Sequence, residues 1–587
     1  MSLLIKSLAL LVLAGSTFSA QSAEISGVIT DTNDQPLAGV MVTLSPTNVV
    51  VGARSTSVFS DADGRYHITE PGGFDPDALQ LSAKMLGYTT AKPALLRQFI
   101  PPAAGSGGAQ ALVANLSLKS TDNIATQVPA SAWMQGFTDD ADSRHALWIC
   151  AGCHQLPDPK MQRFAELTAA SSQPEREEAW RAMIQYMRIK TYDLGPENSA
   201  WPEFPMEIKT NPDYSGYDLE DEKIIARSLA RHLPTDYSRL NEYHPGAPLG
   251  VTPETVIREY QMPLDGFTRE VALSQRSPYA WGADLIHNQL IRLDPETQAV
   301  KYLKVPYEKA SGPHTIVDDN RGNIWVTSIE NDLLMRVDPE TEEWTLFQDF
   351  GAGALIHDLA MDSNYQVAYD RKGRVWATLI GMNKVGGINP ETRETLQFEA
   401  PQPEGKTAIH TAIYGLVMDS SKTRIWYAQL GGGVGAFNVE TLEFEEHLEF
   451  EMGEGPRRLA IDENDRLYVP LMGSSEVFIY DTRLKKEVAR VKLPDRWAAT
   501  YNVSWDSWRK CLWVGTTNAD VIYRMDPETY AFTRYPLPQQ GAFLRQITFD
   551  RSTGNLWTAY SATGVAPQAL VEIDPGDGLQ LTGRVSE

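Results

Sequence analysis

The pattern of hydrophobic and polar positions changes character twice along the chain. After residue 23, short stretches such as ISGVITDTNDQPLAGVMVTL and SVFSDADGRYHI alternate with a period of two between turn residues, which predicts antiparallel strands. Between about residues 125 and 240 the hydrophobic residues recur at helical spacing, as in QPEREEAWRAMIQYMRI and LEDEKIIARSLARHL. Beyond residue 250 short strands return and repeat roughly every 40 residues, a period typical of propeller blades.

The repeats contain a strand, a turn, a strand with a central aromatic residue, an Asp-Pro-Glu-Thr turn and an outer strand. IWVTSIENDLLMRVDPETEEWTLF and LWVGTTNADVIYRMDPETYAFTRYPLP are two variants of this unit, which fits a four-stranded blade. Alignment on the second-strand aromatic predicts seven blades, and we expect these aromatics to pack between blades: Trp281, Trp325, Trp376, Trp426, Tyr468, Trp513 and Trp557. The segment Ile257–Pro263 matches an outer strand, so we expect it to close the ring from the N-terminal side.

The first 23 residues have the layout of a secretory signal. Lys6 precedes an apolar run, and Ala20, Ser22 and Ala23 surround a small-residue cleavage site. The run is too short for a spanning helix, although an uncleaved membrane anchor is the alternative. No later segment approaches 18 apolar residues. We therefore expect an exported, periplasmic protein with no membrane span in the mature chain.

Composition narrows the range of partners. The 587 residues carry a net charge of −24 with a pI of about 4.9, which disfavours nucleic acid and anionic membranes and suits basic partners. Three cysteines in so long a chain exclude a disulfide framework.

Two of the cysteines lie in Cys150-Ala151-Gly152-Cys153-His154, the attachment pattern of a c-type haem. One helical turn presents both thiols to a porphyrin edge, and His154 follows as the axial ligand. A zinc ribbon would need four ligands, and Cys511 is the only further cysteine. We therefore expect one covalent haem c. Since covalent attachment takes place outside the bacterial cytoplasm, the signal and this pattern agree.

The sixth ligand of the haem iron has two candidates. Trp180 is followed seven residues later by Met187, a spacing that resembles a recurrent pattern of small cytochromes. Met206, in the Pro-flanked loop WPEFPMEIKTN, is the alternative. A methionine ligand would raise the reduction potential relative to a second histidine.

Two further family resemblances rest on motifs. Residues 24–118 resemble the carboxypeptidase regulatory-like domain, through G-x-V-x-D and P-L-x-G-V-x-V-x-L from Gly27 to Leu44 and D-x-D-G-x-Y-x-I from Asp61 to Ile68. Residues 255–587 resemble the streptogramin lyase family, through Gly312-Pro313-His314-Thr315-Ile316, Gly322-Asn323-Ile324-Trp325 and the D-P-E-T turns. The first resemblance implies a β-sandwich spacer. The second implies a propeller, and an activity that in that family depends on His, Glu and magnesium on the later blades, where this chain has Arg457, Tyr501 and Arg545.

The blade alignment also predicts a set of side chains facing the central channel. Counting five positions back from the residue that ends each inner strand gives Arg269, His314, Tyr365, Tyr414, Arg457, Tyr501 and Arg545. These types favour an anionic or phenolic ligand. His357 and His410 lie on loops before their inner strands, and with His314 they would form a general-base group or a three-histidine metal site. Alternatively, the arginines pair with acids such as Asp358 or Asp284.

The sequence therefore predicts a multidomain, mainly β protein: a signal peptide (1–23), a small β-sandwich (24–120), an all-α cytochrome c domain (125–240) and a seven-bladed β-propeller (250–587). The predicted function is electron transfer by an exported c-type cytochrome. It would act as an oxidoreductase that takes a small substrate at the propeller mouth and passes electrons through the haem to a periplasmic partner, such as another cytochrome or an oxidase. The alternatives are a lyase, or a non-catalytic electron carrier or sensor.

Overall fold

The computed structural model describes residues 23–70, 75–89, 92–100, 111–193, 219–233, 240, 243–402, 412–451, 453–561, 567–579 and 581, without the side chains of 23, 70, 188–193 and 219–220. These residues form 37 strands, five α-helices and short 3₁₀ turns that include Leu96–Phe99 and Ile380–Met382.

The N-terminal strands form two sheets around one core. The strands are β1 (Ala23–Asp31), β2 (Met41–Pro46), β3 (Arg54–Phe59), β4 (Arg65–Glu70), β5 (Leu79–Lys84), β6 (Tyr88–Thr89), β7 (Ala94–Leu95), β8 (Ala111–Val113) and β9 (Leu116–Ser120). One sheet has the order β4-β1-β9-β6 with β8 also on β1, and the other contains β3-β2-β5-β7. Alternate residues such as Ile25, Val42 and Leu81 bury their side chains in a single shared cluster, as the period-two pattern predicted.

Five helices follow: α1 (Ala130–Trp133), α2 (Ala141–Cys150), α3 (Pro159–Thr168), α4 (Gln173–Asp193) and α5 (Leu219–His232). The side chain of Asp140 accepts a hydrogen bond from the backbone N–H of Ser143 and begins α2. Asp158 does the same for Met161 at the start of α3, where Pro159 occupies the first helical position. Helix α2 ends at Cys150, so residues 150–154, here called the Cys/His turn, emerge from its C-terminus.

The remaining strands form a β-propeller-like ring of six four-stranded sheets and a seventh blade that belongs to a larger sheet. The first three sheets are β11–β14 (Thr268–Leu273, Ala280–Asp284, Gln289–Leu293, Val300–Lys304), β15–β18 (Pro313–Asp318, Ile324–Ser328, Leu334–Val337, Trp344–Phe347) and β19–β22 (Ile356–Leu359, Val375–Leu379, Lys384–Ile388, Thr395–Glu399). The next three are β23–β26 (Ile413–Met418, Arg424–Gln429, Gly433–Asn438, Glu443–Glu449), β27–β30 (Ala460–Ile461, Arg466–Leu471, Glu476–Asp481, Lys486–Lys492) and β31–β34 (Thr500–Asp506, Cys511–Thr516, Val521–Met525, Phe532–Pro536).

The seventh sheet is built from both ends of the ring. Strands β35 (Thr548–Phe549), β36 (Leu556–Tyr560) and β37 (Ala569–Asp574) are joined by β10 (Val256–Gln261), which pairs antiparallel with β37. The predicted closing strand is therefore confirmed. Its other edge pairs with β3, so that blade seven continues into the N-terminal sheet in the order β35-β36-β37-β10-β3-β2-β5-β7. Sequence patterns gave no indication of this junction.

The seven aligned aromatics are the second-strand residues that the blade alignment predicted, and all are buried. Several are also anchored by an aspartate. The indole N–H of Trp325 donates to Asp319 at 2.9 Å, that of Trp376 to Asp370 at 2.9 Å, and that of Trp513 to Asp506 at 3.0 Å. Their role in packing, which the sequence predicted, is confirmed.

Within the part of the chain that the structure describes, none of the helices combines the length and the apolar character needed to cross a membrane.

Candidate functional site

The inner strands of the ring share a local irregularity that decides which side chains reach the channel. In five sheets the pairing between the first and second strands shifts near the start of the inner strand, as between Thr268 and Val271. Such a shift breaks the strict alternation of side chains. As a result neighbouring residues such as Arg269 and Glu270 are both buried on the inner strand.

Most of the predicted channel residues lie where the alignment placed them. Arg269, His314, Tyr414 and Tyr501 lie on inner strands, and Arg457 and Arg545 immediately precede the short strands β27 and β35. All six are buried. His410 falls outside the described residues.

Blade three differs from its predicted alignment. Its inner strand is β19, which contains His357, whereas Tyr365 lies in a following turn with a positive φ of 60°. The carboxylate of Asp362 accepts backbone hydrogen bonds from Asn364 and Gln366 and stabilises this turn. This extra turn shifted the sequence alignment of blade three by several residues. His357, which the alignment placed on a loop, therefore lies on the inner strand instead of Tyr365.

Four aromatic and imidazole side chains form a continuous row in the channel. The ring centroids of His314 and His357 are 4.2 Å apart, and those of His357 and Tyr414 are 3.9 Å apart. The hydroxyls of Tyr414 and Tyr501 form a short hydrogen bond. These contacts connect blades two, three, four and six.

Two of the predicted arginines bind the end of α2. Arg457 Nη2 donates to the carbonyl of Trp148 at 3.2 Å, and Arg545 Nη1 donates to that of Gly152 at 3.2 Å. The last carbonyls of a helix lack intrahelical partners and carry partial negative charge, which a guanidinium satisfies. The Cys/His turn therefore covers this end of the channel, and these two arginines hold it there.

Blade five allows α2 to approach closely. Gly455 adopts a φ of 64°, and a Cβ at this position would lie 2.0 Å from Cδ1 of Trp148. Trp148 and Ala151 share a buried cluster with Met472, Trp497 and Tyr501. The helix and the ring consequently have a common core.

A loop of blade six binds the other side of the Cys/His turn. Thr517 Oγ1 donates to the carbonyl of Ala151 at 3.0 Å. Asn518 accepts from the N–H of Leu156 at 2.7 Å and donates to its carbonyl at 2.8 Å. Gln155 Nε2 donates to Asp520 at 2.7 Å. These bonds fix the backbone immediately after His154.

A second layer of charge, which the sequence analysis missed, lies beside the row of rings. Arg458 Nη2 is 2.7 Å from Glu270, its Nε is 3.5 Å from Asp358, and it donates to Thr315 at 2.6 Å. The predicted pairing of a channel arginine with Asp358 thus occurs at Arg458 rather than at the arginines of the aligned set. Asp284 instead contacts His287 and Gln289. The two adjacent arginines, Arg457 and Arg458, were the sequence feature that could have indicated this second layer.

The buried charges shift the pKa values of the channel. Burial, reinforced by Arg269, lowers the pKa of His314 well below its ordinary value, and burial with Arg458 does the same for His357, so both imidazoles are neutral at pH 7. Burial raises the pKa of Asp358 to about 7 even though Arg458 opposes the shift.

The pKa values of Tyr414 and Tyr501 shift in opposite directions. Burial by itself raises the pKa of Tyr501, but the nearby guanidinium groups, first that of Arg545, outweigh burial and bring it below its ordinary value. Burial and Tyr501 raise the pKa of Tyr414. The pair therefore releases its first proton more readily than an isolated phenol and its second less readily.

The side chains of the Cys/His turn differ in exposure and in hydrogen bonding. Cys150 and Cys153 form no disulfide, and Cys153 is exposed. His154 Nδ1 lies 2.8 Å from the carbonyl of Gln155 and 3.5 Å from Asp158, which orients the ring and leaves Nε2 as the nitrogen for a metal. Met187 packs against the same cluster as Cys150, and Met206 is outside the described residues.

Among the described residues there is no group of three or more His, Cys, Asp or Glu side chains placed to hold a metal ion. His314 and His357 are adjacent, but the third member of the predicted three-histidine site, His410, is not described.

Comparison with known proteins yields only distant structural likenesses. No family model and no curated protein matches the chain. Solved structures of similar shape include virginiamycin B lyase from Staphylococcus aureus, at 14% identity and a TM-score of 0.44 over 54% of this chain and 99% of that one. A catalytically inactive variant of that enzyme with quinupristin (14%, 0.45, 54% and 99%) and a streptogramin B lyase (14%, 0.44, 55% and 97%) are further examples. This degree of similarity assigns no activity to the chain.

The tyrosine pair leads to a test by alkaline titration. We expect tyrosinate absorbance to show one group ionising below the ordinary tyrosine pKa of about 10, because the guanidinium groups stabilise the phenolate. Tyr501→Phe should remove this phase. Tyr302→Phe, at a half-exposed residue on β14, should leave it unchanged. A low-pH phase that persists in Tyr501→Phe would contradict the assignment.

Proposed function

We propose that the chain is an exported, periplasmic c-type cytochrome with one covalent haem, and that it oxidises a small anionic or phenolic compound in the channel of the ring. The electrons would leave through the haem to a periplasmic partner such as another cytochrome or an oxidase. In this proposal residues 24–120 form a β-sandwich spacer, 125–240 a cytochrome c domain and 250–587 a seven-bladed propeller.

The residues of the Cys/His turn fit the attachment of haem c. Cys150 and Cys153 would hold the porphyrin by thioether bonds, and His154 Nε2 would bind the iron, because Nδ1 is engaged by the carbonyl of Gln155. The sixth ligand would be Met187, which packs against the same buried cluster as Cys150, or Met206. The bound group would supply a one-electron couple, whose potential its axial ligands and their hydrogen bonds set.

One observation carries the link between haem and channel. Arg545 Nη1 donates to the hydroxyl of Tyr501 at 3.0 Å and to the carbonyl of Gly152, between the two cysteines, at 3.2 Å. The Arg545 guanidinium thus bridges Tyr501 in the channel and the backbone of the Cys/His turn. This contact supports electron transfer between the two better than it supports a turn that only docks on the ring.

The channel side chains would accept the proton that the substrate loses on oxidation. Oxidation of a phenol by one electron gives a phenoxyl radical and releases one proton, which a neutral imidazole or a phenolate accepts. His357 and the Tyr414–Tyr501 pair lie in one row, so a proton taken from the substrate would enter this row.

Haem attachment provides the first test. Expressed with a cytochrome c maturation system, the protein should carry haem that survives denaturing electrophoresis, and Cys150→Ala/Cys153→Ala should lose it. The matched control is Cys511→Ala, because this buried cysteine on β32 lies outside the turn. Absence of covalent haem in the wild type, or its retention in the double variant, would refute the proposal.

The sixth ligand is tested by the near-infrared sulfur-to-iron band of the ferric protein. We expect Met187→Ala to abolish this band, because Met187 packs against the same buried cluster as Cys150, and Met206→Ala to retain it. Loss of the band in Met206→Ala alone would assign the ligand to Met206.

Substrate oxidation is tested by growth of the haem α-band under anaerobic mixing with hydroquinone or 4-hydroxybenzoate. At least one should reduce the haem, and Tyr501→Phe should slow this reduction by tenfold or more, whereas Tyr302→Phe should not. If none reduces a haem that dithionite does reduce, the oxidoreductase proposal is wrong and the chain is a carrier or a lyase-like protein.

A further inference from the structure

Arg457 and Arg545 each donate a hydrogen bond to a backbone carbonyl, whereas the buried Nε of Arg269 donates none among the described residues. Arg269 lies on β11 at the shifted pairing and is only 7% exposed. Within the same part of the chain no carboxylate lies within 4.0 Å of its guanidinium. A buried charge without a partner is rare because its desolvation is not compensated.

The acids that could neutralise Arg269 are already engaged. Glu270, its neighbour in sequence, faces Arg458 at 2.7 Å, and Asp358 lies 3.5 Å from the same guanidinium. Arg457 and Arg545 use neutral acceptors, the carbonyls of Trp148 and Gly152. The layer beneath the Cys/His turn therefore has an excess of positive charge, which ionisation of Tyr501 offsets only in part.

Arg269 stays charged in this position. Burial, with help from the positive charge of Arg545, lowers its pKa to about 10, which still leaves it protonated at pH 7. Arg269 is therefore a buried cation on the inner strand of blade one.

The surroundings of Arg269 favour a planar anion. The guanidinium carbon lies 5.4 Å from the ring centre of Phe267, and that of Arg545 lies 5.5 Å from the same ring. Tyr414 and Tyr501 are close enough to act on its charge. A guanidinium fork matches the two oxygens of a carboxylate, and flat rings beside it suit a small planar group.

We propose that Arg269 is the anion anchor of the channel and binds a carboxylate group beneath the Cys/His turn. The three arginines of the aligned set then have different roles: Arg457 and Arg545 hold the turn, and Arg269 holds the ligand. This inference rests on the proposed function for the identity of the site. The carboxylate would come from a free substrate or from a propionate of the haem, and the experiment separates these sources.

The experiment measures binding of sodium formate and sodium benzoate by isothermal titration calorimetry. The proteins are the wild-type holoprotein and the haem-free Cys150→Ala/Cys153→Ala variant, each with and without Arg269→Met. Arg269→Met should weaken binding tenfold or more. Arg371→Met, at an exposed arginine paired with Glu440, should change it less than twofold.

Two outcomes support the proposal and identify the source. Binding to the holoprotein that is lost in Arg269→Met indicates a free carboxylate ligand. Binding only to the haem-free variant, lost when Arg269→Met is added, indicates that a haem propionate occupies the site. Binding that is unaffected by Arg269→Met, or absent from both proteins, overturns the proposal.

The controls distinguish loss of carboxylate binding from misfolding of the variant and from failure of the oxidoreductase proposal. Removal of an uncompensated buried charge should not lower the thermal unfolding midpoint. If Arg269→Met nevertheless fails to fold, Arg269→Lys keeps the charge without the fork and should still weaken binding. The calorimetric readout does not depend on haem reduction, so carboxylate binding can hold where the oxidoreductase proposal fails, and the reverse.

Discussion

The arrangement of the site depends on the capping of α2 by two arginines from the ring. A helix C-terminus buried without donors would leave carbonyls unsatisfied; Arg457 from blade five satisfies that of Trp148 in the last turn of α2, and Arg545 from blade seven satisfies that of Gly152 just beyond the helix. This contact fixes the Cys/His turn over the channel and at the same time removes two arginines from the set available to a ligand. The hydrogen bonds of Thr517 and Asn518 hold the same turn from blade six.

The shifted pairing at the start of the inner strands gives the channel two charged layers instead of one. Because consecutive residues are buried there, Arg269 and Glu270, or Arg457 and Arg458, can meet different partners. In one layer Arg458 faces two carboxylates, those of Glu270 and Asp358. The other layer contains the buried arginines Arg269, Arg457 and Arg545 and the row of imidazole and phenol rings. A site of this kind can hold an anion next to a phenol of lowered pKa, a combination that suits coupled movement of charge and proton.

Features set by local pattern could be predicted from the sequence, whereas features set by distant pairing could not. The second-strand aromatics and the closing strand β10 repeat at a constant period, so alignment alone located them. Tyr365 was misplaced because an extra turn, stabilised by Asp362, interrupts that period. The roles of Arg457 and Arg545 depend on residues that lie some 300 to 400 positions away in the sequence. The partners of Arg458 depend on a departure from the period-two alternation of side chains. The Cys/His pattern is local, and its haem remains a prediction.

The eight-stranded sheet through β10 has a consequence for how the chain assembles. Residues 256–261 pair on one side with β3 and on the other with β37, which is made some 300 residues later. During synthesis β10 has its N-terminal partner long before its C-terminal one, so one edge of this strand stays open until the last blade emerges. Loop closure over such a span is slow, and an open edge invites wrong pairing. Docking β10 on β3 first would hold the edge in place, so that the N-terminal sheets serve as the template on which the ring is completed.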